Sequence, residues 1–107
     1  MAWTIEYAES AKKTVRKLET QDRRRIRTFL EEKLASLSDP CSIGKSLSGS
    51  LSGLWRYRVG DYQVITRIED DRMVILVVRI GPGKKFIANY AIELTGEYIN
   101  RLVHELR

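Results

Sequence analysis

Gly53-Leu54-Trp55-Arg56-Tyr57-Arg58-Val59-Gly60-Asp61-Tyr62-Gln63-Val64-Ile65 is the stretch on which the reading of the fold turns. Apolar and basic residues alternate from Trp55 to Val59. A period of two sends Trp55, Tyr57 and Val59 to one side of a strand and Arg56 and Arg58 to the other. Gly60-Asp61 suits a tight reversal, because glycine enters the positive-φ region without steric cost. If that turn has two residues, Arg58 faces Gln63 across a hairpin. The two arginines are one strand repeat apart, roughly 7 Å at the backbone, close to the phosphate spacing of a nucleic-acid strand. One side of the hairpin is therefore apolar, and the other is basic with an amide beside it. Such a basic side suits an RNA backbone. It equally suits a solvated outer face, and alternation alone does not choose between the two.

Working outward, the pattern predicts three strands in succession: residues 54–59, 62–69 and 72–80. Asp70-Asp71 marks the second reversal, and Gly81-Pro82-Gly83 is expected to end the sheet. Upstream, Ser, Gly, Pro and Asp dominate from Ser36 to Gly53, a long connection that Asp39-Pro40 opens by stopping a helix. Before it, Ile26, Phe29, Leu30, Leu34 and Leu37 form one helical stripe, and Ala11, Val15 and Leu18 form another. The break between these helices falls near Thr20-Gln21, with Ser10 and Thr20 as candidate N-caps. Trp3-Thr4-Ile5-Glu6-Tyr7 alternates like a half-buried strand. Downstream, a final helix is expected from about Thr95, with Tyr98, Ile99, Leu102, Val103 and Leu106 along one side. The fold class is α+β: N-terminal strand, helical hairpin, three-stranded antiparallel meander and C-terminal helix, with helices on one face of the sheet. Residues 1–107 form one domain, and residues 91–107 are its helical tail.

The chain has 107 residues, 43% of them hydrophobic and 31% charged, which suits one globular domain with a modest core. Its net charge of +5 favours a polyanionic partner, although a merely basic soluble protein has the same balance. Cys41 is the single cysteine, so neither an internal disulfide nor a CxxC metal site can form. His104 is the single histidine, and its place in the C-terminal segment reads as a helix surface rather than a catalytic dyad. Asp70 and Asp71 lack further ligands for a cation. No metal or cofactor is therefore expected. The first residues carry no signal-peptide pattern and no window reaches transmembrane length, so a cytoplasmic chain without membrane partners is expected.

The residues also carry a family resemblance. Residues 53–65 resemble the hallmark segment of toxins of the RelE/ParE superfamily. Trp3 to Ala8 with Ala11-Lys12-Lys13 and Leu18 resembles the start of those proteins, and Ile43-Gly44-Lys45 with Leu47 and Gly49 resembles their central connection. Val74 to Gly81 resembles their last strand, and the likeness spans about residues 2 to 81 in order. It implies a RelE-like, microbial-ribonuclease-type fold. It also implies a type II toxin that cleaves mRNA on the ribosome without metal, through attack of the substrate's own 2′-hydroxyl, and that is held by a cognate antitoxin, with which it would form a hetero-oligomer. Position by position, the resemblance implies Arg56, Arg58, Lys84, Lys85 and Tyr90 as catalytic residues, and Arg56, Arg58, Gln63 and Arg79 as RNA-binding residues. Two departures are visible. Gln63 stands where the family usually has arginine, and Pro82-Gly83 delays the basic pair Lys84-Lys85 and displaces Tyr90. A glutamine lacks the charge and the forked donors of arginine, so cleavage is expected to be attenuated.

Two rival readings share the resemblance. One is a ParE-like toxin that inhibits DNA gyrase by binding, and the other is a degenerate member without toxicity. Elsewhere, Arg23, Arg24, Arg25 and Arg27 form a basic cluster, read as a solvated helix face with Glu31 and Glu32 as spaced partners; a grip on ribosomal RNA is the second reading. Trp3 and Trp55 read as core, while Tyr62 stands between core and stacking platform.

Overall fold

The computed structural model describes residues 2–105, with side chains described through Gly96. Five strands form one mixed sheet in the order β1-β5-β4-β3-β2, where β1 is Thr4–Tyr7, β2 Lys45–Ser46, β3 Trp55–Val59, β4 Tyr62–Glu69 and β5 Val74–Pro82. The strands β3, β4 and β5 make the expected antiparallel meander, and the register places Arg58 opposite Gln63. Gly60 turns the hairpin at φ +60°, as its position in a tight reversal requires. β1 lies parallel to β5, with Thr4 opposite Val74 and Tyr7 opposite Val77. β5 runs through Gly81 to Pro82, two residues beyond the expected end, because it keeps pairing with Tyr62 and Gln63 at the start of β4.

The helices α1, Glu9–Lys17, and α2, Thr20–Arg27, form the expected hairpin on one face of the sheet. Neither Ser10 nor Thr20 is an N-cap: those places belong to Ala8 and Glu19, without side-chain capping bonds. Ser10 instead lies in the first turn of α1 and its hydroxyl donates to the Val78 carbonyl at 2.8 Å, which ties α1 to β5. α2 continues through a wide π-helical stretch, Thr28–Lys33, and a 3-10 turn, Leu34–Ser36. Ile26, Leu30 and Leu34 thereby keep one line and are fully buried with Tyr57, Val64, Ile75 and Val77. Trp3 lies in this core, Trp55 packs at its margin, and so does Tyr62, whose hydroxyl donates to Asp22 at 3.4 Å. Tyr62 thus packs against the core from the helical face and is not a platform on the basic one.

Tyr57 organises the connection from Ser36 to Gly53. Its hydroxyl donates to the Pro40 carbonyl at 2.8 Å, and its ring passes so near Gly44 that a Cβ there would lie 2.8 Å from it. With the connection pinned, Lys45 and Ser46 pair with Arg56 and Trp55 as the edge strand β2.

The last helix corrects two expectations. α3 spans Phe86–Glu105, so it begins some nine residues before Thr95. Phe86, Ile87, Tyr90, Ala91 and Leu94 already have helical spacing, and they pack on Leu51, Leu54 and Ile65. These contacts lie on the face opposite the helical hairpin, so the sheet has helices on both faces. The expected stripe of Tyr98, Ile99, Leu102, Val103 and Leu106, like His104, lies outside the described side chains. No helix among the described residues is long and apolar enough to cross a membrane.

Candidate nucleic-acid interface

Strand register decides which side chains share the second face. Cross-strand partners point the same way. Lys45, Arg56, Ile65 and Arg79 therefore form one row across β2, β3, β4 and β5, and Arg58, Gln63 and Gly81 form the next. A bulge between Ile65 and Thr66 skips Val78, so that Arg79 stays in line with Ile65 while Val77 returns to the core. The structure thus brings Arg56, Arg58, Gln63 and Arg79 onto one face. Lys45 joins them, although nothing in its own neighbourhood marks it as a strand residue; only the two-residue pairing with β3 does.

Access to the face differs from end to end. Arg56 is half-buried, whereas Lys45, Arg58, Lys84 and Lys85 are exposed. Among the described residues none of these five makes an ion pair. Arg79 differs. Its guanidinium bonds Glu93 at 2.8 Å and lies 5.1 Å from the centre of the Tyr90 ring. Both partners come from α3, so Tyr90 stands against Arg79. Phe86 anchors the same helix by stacking on Gly81, where a Cβ would collide with the ring. Gln63, the β4 partner of Gly81, is only 6% exposed, and its Oε1 has no hydrogen-bond partner.

Three of the four arginines in the basic cluster of α2 take separate places. Arg23 donates to the carbonyls of Val15, Arg16 and Leu18, closing the end of α1. Arg27 pairs with Glu31 at 3.3 Å, as the spacing suggested. Arg25 leaves the cluster and reaches the β3–β4 turn, where its Nη1 is 2.8 Å from the position a Gly60 Cβ would take. Arg58 turns to the same residue, its Nε donating to the Gly60 carbonyl at 3.3 Å. Arg25, Lys33 and Arg58 line an open cleft there, with Phe29 and Glu32. Positive charge therefore continues from the sheet face around the turn.

The family model described as ParE toxin of type II toxin-antitoxin system, parDE, matches residues 5–85. The chain belongs to the RelE/ParE family of type II toxins. This toxin is 27% identical to Toxin RelG of Mycobacterium tuberculosis over 81 residues, 75% of this chain and 90% of that protein. Its fold is that of solved RelE toxins. The RelBE2 toxin–antitoxin complex of M. tuberculosis matches with a TM-score of 0.70 at 23% identity, over 77% of this toxin and 92% of that chain. The isolated E. coli RelE toxin matches with a TM-score of 0.62 at 21% identity, over 94% of this toxin and 99% of that chain.

Proposed function

We propose that this toxin is a metal-independent endoribonuclease that cuts mRNA on the ribosome, with the face of Lys45, Arg56, Arg58 and Arg79 as its RNA site. The observation that carries the reading is the set of cations on and beside that face, Lys45, Arg56, Arg58, Lys84 and Lys85, which have no carboxylate partner among the described residues. Arg23 and Arg27 of α2, by contrast, are held by backbone carbonyls and by Glu31. Cations aligned by strand register on one sheet face, Lys45, Arg56 and Arg58, suit a phosphate backbone, with each contact releasing a condensed counterion.

In the reaction, the 2′-oxygen bonds to the adjacent phosphorus as the P–O5′ bond breaks. A 2′,3′-cyclic phosphate and a 5′-hydroxyl remain. The 2′-hydroxyl loses a proton and the 5′-oxygen gains one, and Lys84, Lys85 and Tyr90 are the groups through which that exchange would run. The phosphorane carries more negative charge than the ground state, so Arg56 and Arg58 would stabilise it preferentially. With Gln63 in place of an arginine, one such cation is missing, and attenuated cleavage follows. A cognate antitoxin would neutralise the toxin as a cytoplasmic hetero-oligomer; the relative in the RelBE2 structure was crystallised as a toxin–antitoxin complex.

The name of the matching family model, ParE, favours a second reading in which the toxin inhibits DNA gyrase by binding alone. One experiment separates them: induce the toxin in bacteria, map mRNA 5′ ends and measure plasmid supercoiling in the same cells. Ribosome-phased new 5′ ends with normal supercoiling are expected. Lost supercoiling without phased cuts would transfer the function to gyrase, and neither effect would mark a degenerate member.

A further inference from the structure

Gln63 is a buried side chain with an unmet need. Gln63 and Thr66 are the buried polar residues among those described, and Thr66 directs its hydroxyl to the Trp55 carbonyl at 3.5 Å. The Gln63 Oε1 has no donor. A buried acceptor without a donor is destabilising, and native folds retain few. The neighbours in its row do not supply one. Arg58 sits opposite in register but directs its Nε to the Gly60 carbonyl, and Gly81 on the other side has no side chain. The space over Gly81 is held by the Phe86 ring, which belongs to α3 and not to the sheet.

The chemistry of the missing partner is constrained by where the amide stands. Its row and the adjacent one present donors: Arg58 beside it, and Lys45, Arg56 and Arg79 alongside. Donors match phosphate oxygens. An acceptor among them needs a donor from the same strand of nucleic acid. In an RNA sugar–phosphate backbone the phosphate and ring oxygens only accept, and the 2′-hydroxyl is the group that donates. DNA has no such group. We propose that the Gln63 Oε1 accepts the 2′-hydroxyl of the ribose beside the phosphate held by Arg58, with Phe86 giving way, so that Gln63 is the residue by which this face distinguishes RNA from DNA. The amide is too weak a base to remove the proton. It recognises the ribose in the bound state and releases the hydroxyl before its one proton passes to a base, a role distinct from the charge an arginine would bring. This inference rests on the RNA reading above and adds the group that is recognised.

The test compares binding of a short single-stranded RNA with the same sequence carrying 2′-fluoro sugars, which keep an RNA-like pucker but cannot donate. Fluorescence anisotropy on the full toxin should show the RNA bound about three- to tenfold more tightly, the range of one net hydrogen bond. Gln63→Met should bind both strands equally while its salt dependence stays that of the parent. Should Gln63→Met not fold, Gln63→Glu keeps the acceptor oxygens and should retain the preference while weakening both strands. A preference that survives in Gln63→Met, or is lost in Gln63→Glu, overturns the assignment. Salt-dependent binding without any preference in the parent overturns it too, and leaves the RNA reading standing. If neither strand binds in a salt-dependent way, the assignment falls, and the RNA reading is then decided by the mapping of mRNA 5′ ends described above.

Discussion

Gly81→Ala isolates the contact that holds α3 over the basic face. Gly81 does not require a glycine backbone, since the positive-φ glycines are Gly49, Gly53, Gly60 and Gly83. The whole penalty therefore comes from the new methyl, which would overlap Cδ2 and Cε2 of the Phe86 ring and lie 2.6 Å from its Cζ. The ring has to leave. Fully burying a phenylalanine side chain contributes about 1.5–3 kcal/mol, and Phe86 is half-buried, so undocking should cost about 1–2 kcal/mol. Alanine's smaller unfolded-state entropy offsets roughly 0.4–1 kcal/mol of this. The net change in a urea denaturation series is thus small, and the informative quantity is the coupling. In a Phe86→Ala background the same substitution meets no ring and should be neutral or stabilising by about 0.4–1 kcal/mol. The coupling between the two sites should be about 1–2 kcal/mol. Hydrogen exchange gives an independent readout. The Asn89 amide, which bonds the Lys85 carbonyl at 2.9 Å in the first turn of α3, should lose protection in Gly81→Ala while the β4–β5 ladder keeps its own. An equal cost in both backgrounds, with the protection of Asn89 unchanged, would refute the contact and the role given to it.

Three further outcomes follow from other contacts. Gly44→Ala places a Cβ 2.8 Å from the Tyr57 ring, and should destabilise the toxin by about 1–3 kcal/mol in thermal or urea unfolding while also loosening β2. Glu93→Gln should change global stability by less than about 1 kcal/mol, because Arg79 and Glu93 are both substantially exposed, and should increase affinity for single-stranded RNA by freeing Arg79. Alkali should destabilise the fold: burial pushes the Tyr7 hydroxyl up to about 12 and raises that of Tyr57 as well. Both stay neutral in the folded chain above about pH 10 while unfolded phenols ionise, so the folded state binds more protons there and stability falls as pH rises. Urea midpoints measured upward from neutral pH should be flat and then decline, and Tyr57→Phe should make the decline shallower.

The β3–β4 hairpin was legible because its information is local. Alternation fixes the faces, Gly60-Asp61 fixes the register, and Arg58 therefore falls opposite Gln63 as expected. Parallel pairing of β1 with β5 was not legible, since a strand some seventy residues away leaves no mark on Thr4–Tyr7. β2 escaped notice because two residues are too few for any period, and Lys45 escaped with it; its place depends on Tyr57 reaching Pro40 and passing Gly44. The early start of α3 was hidden by Pro82-Gly83 and Lys84-Lys85, which read as a continuing loop, although Phe86, Ile87, Tyr90, Ala91 and Leu94 have the spacing of a helix. That spacing was the available signal. The shared face of Arg56, Arg58 and Gln63 was thus readable beforehand, whereas the occupation of Arg79 by Glu93 and Tyr90 depends on where α3 docks, which packing decides.

The central claim, that Arg56 and Arg58 grip an RNA backbone, is tested most directly by the salt dependence of binding. Affinity of the parent toxin and of the doubly substituted Arg56→Ala, Arg58→Ala toxin for mRNA-programmed ribosomes should be measured across a range of salt concentrations. Each lost phosphate contact on a single strand removes about 0.7 from the slope of log affinity against log salt, so the double variant should bind more weakly with a slope shallower by about 1.4. A variant that folds as the parent does, yet binds with the parent's affinity and slope, would show these arginines to be solvated surface.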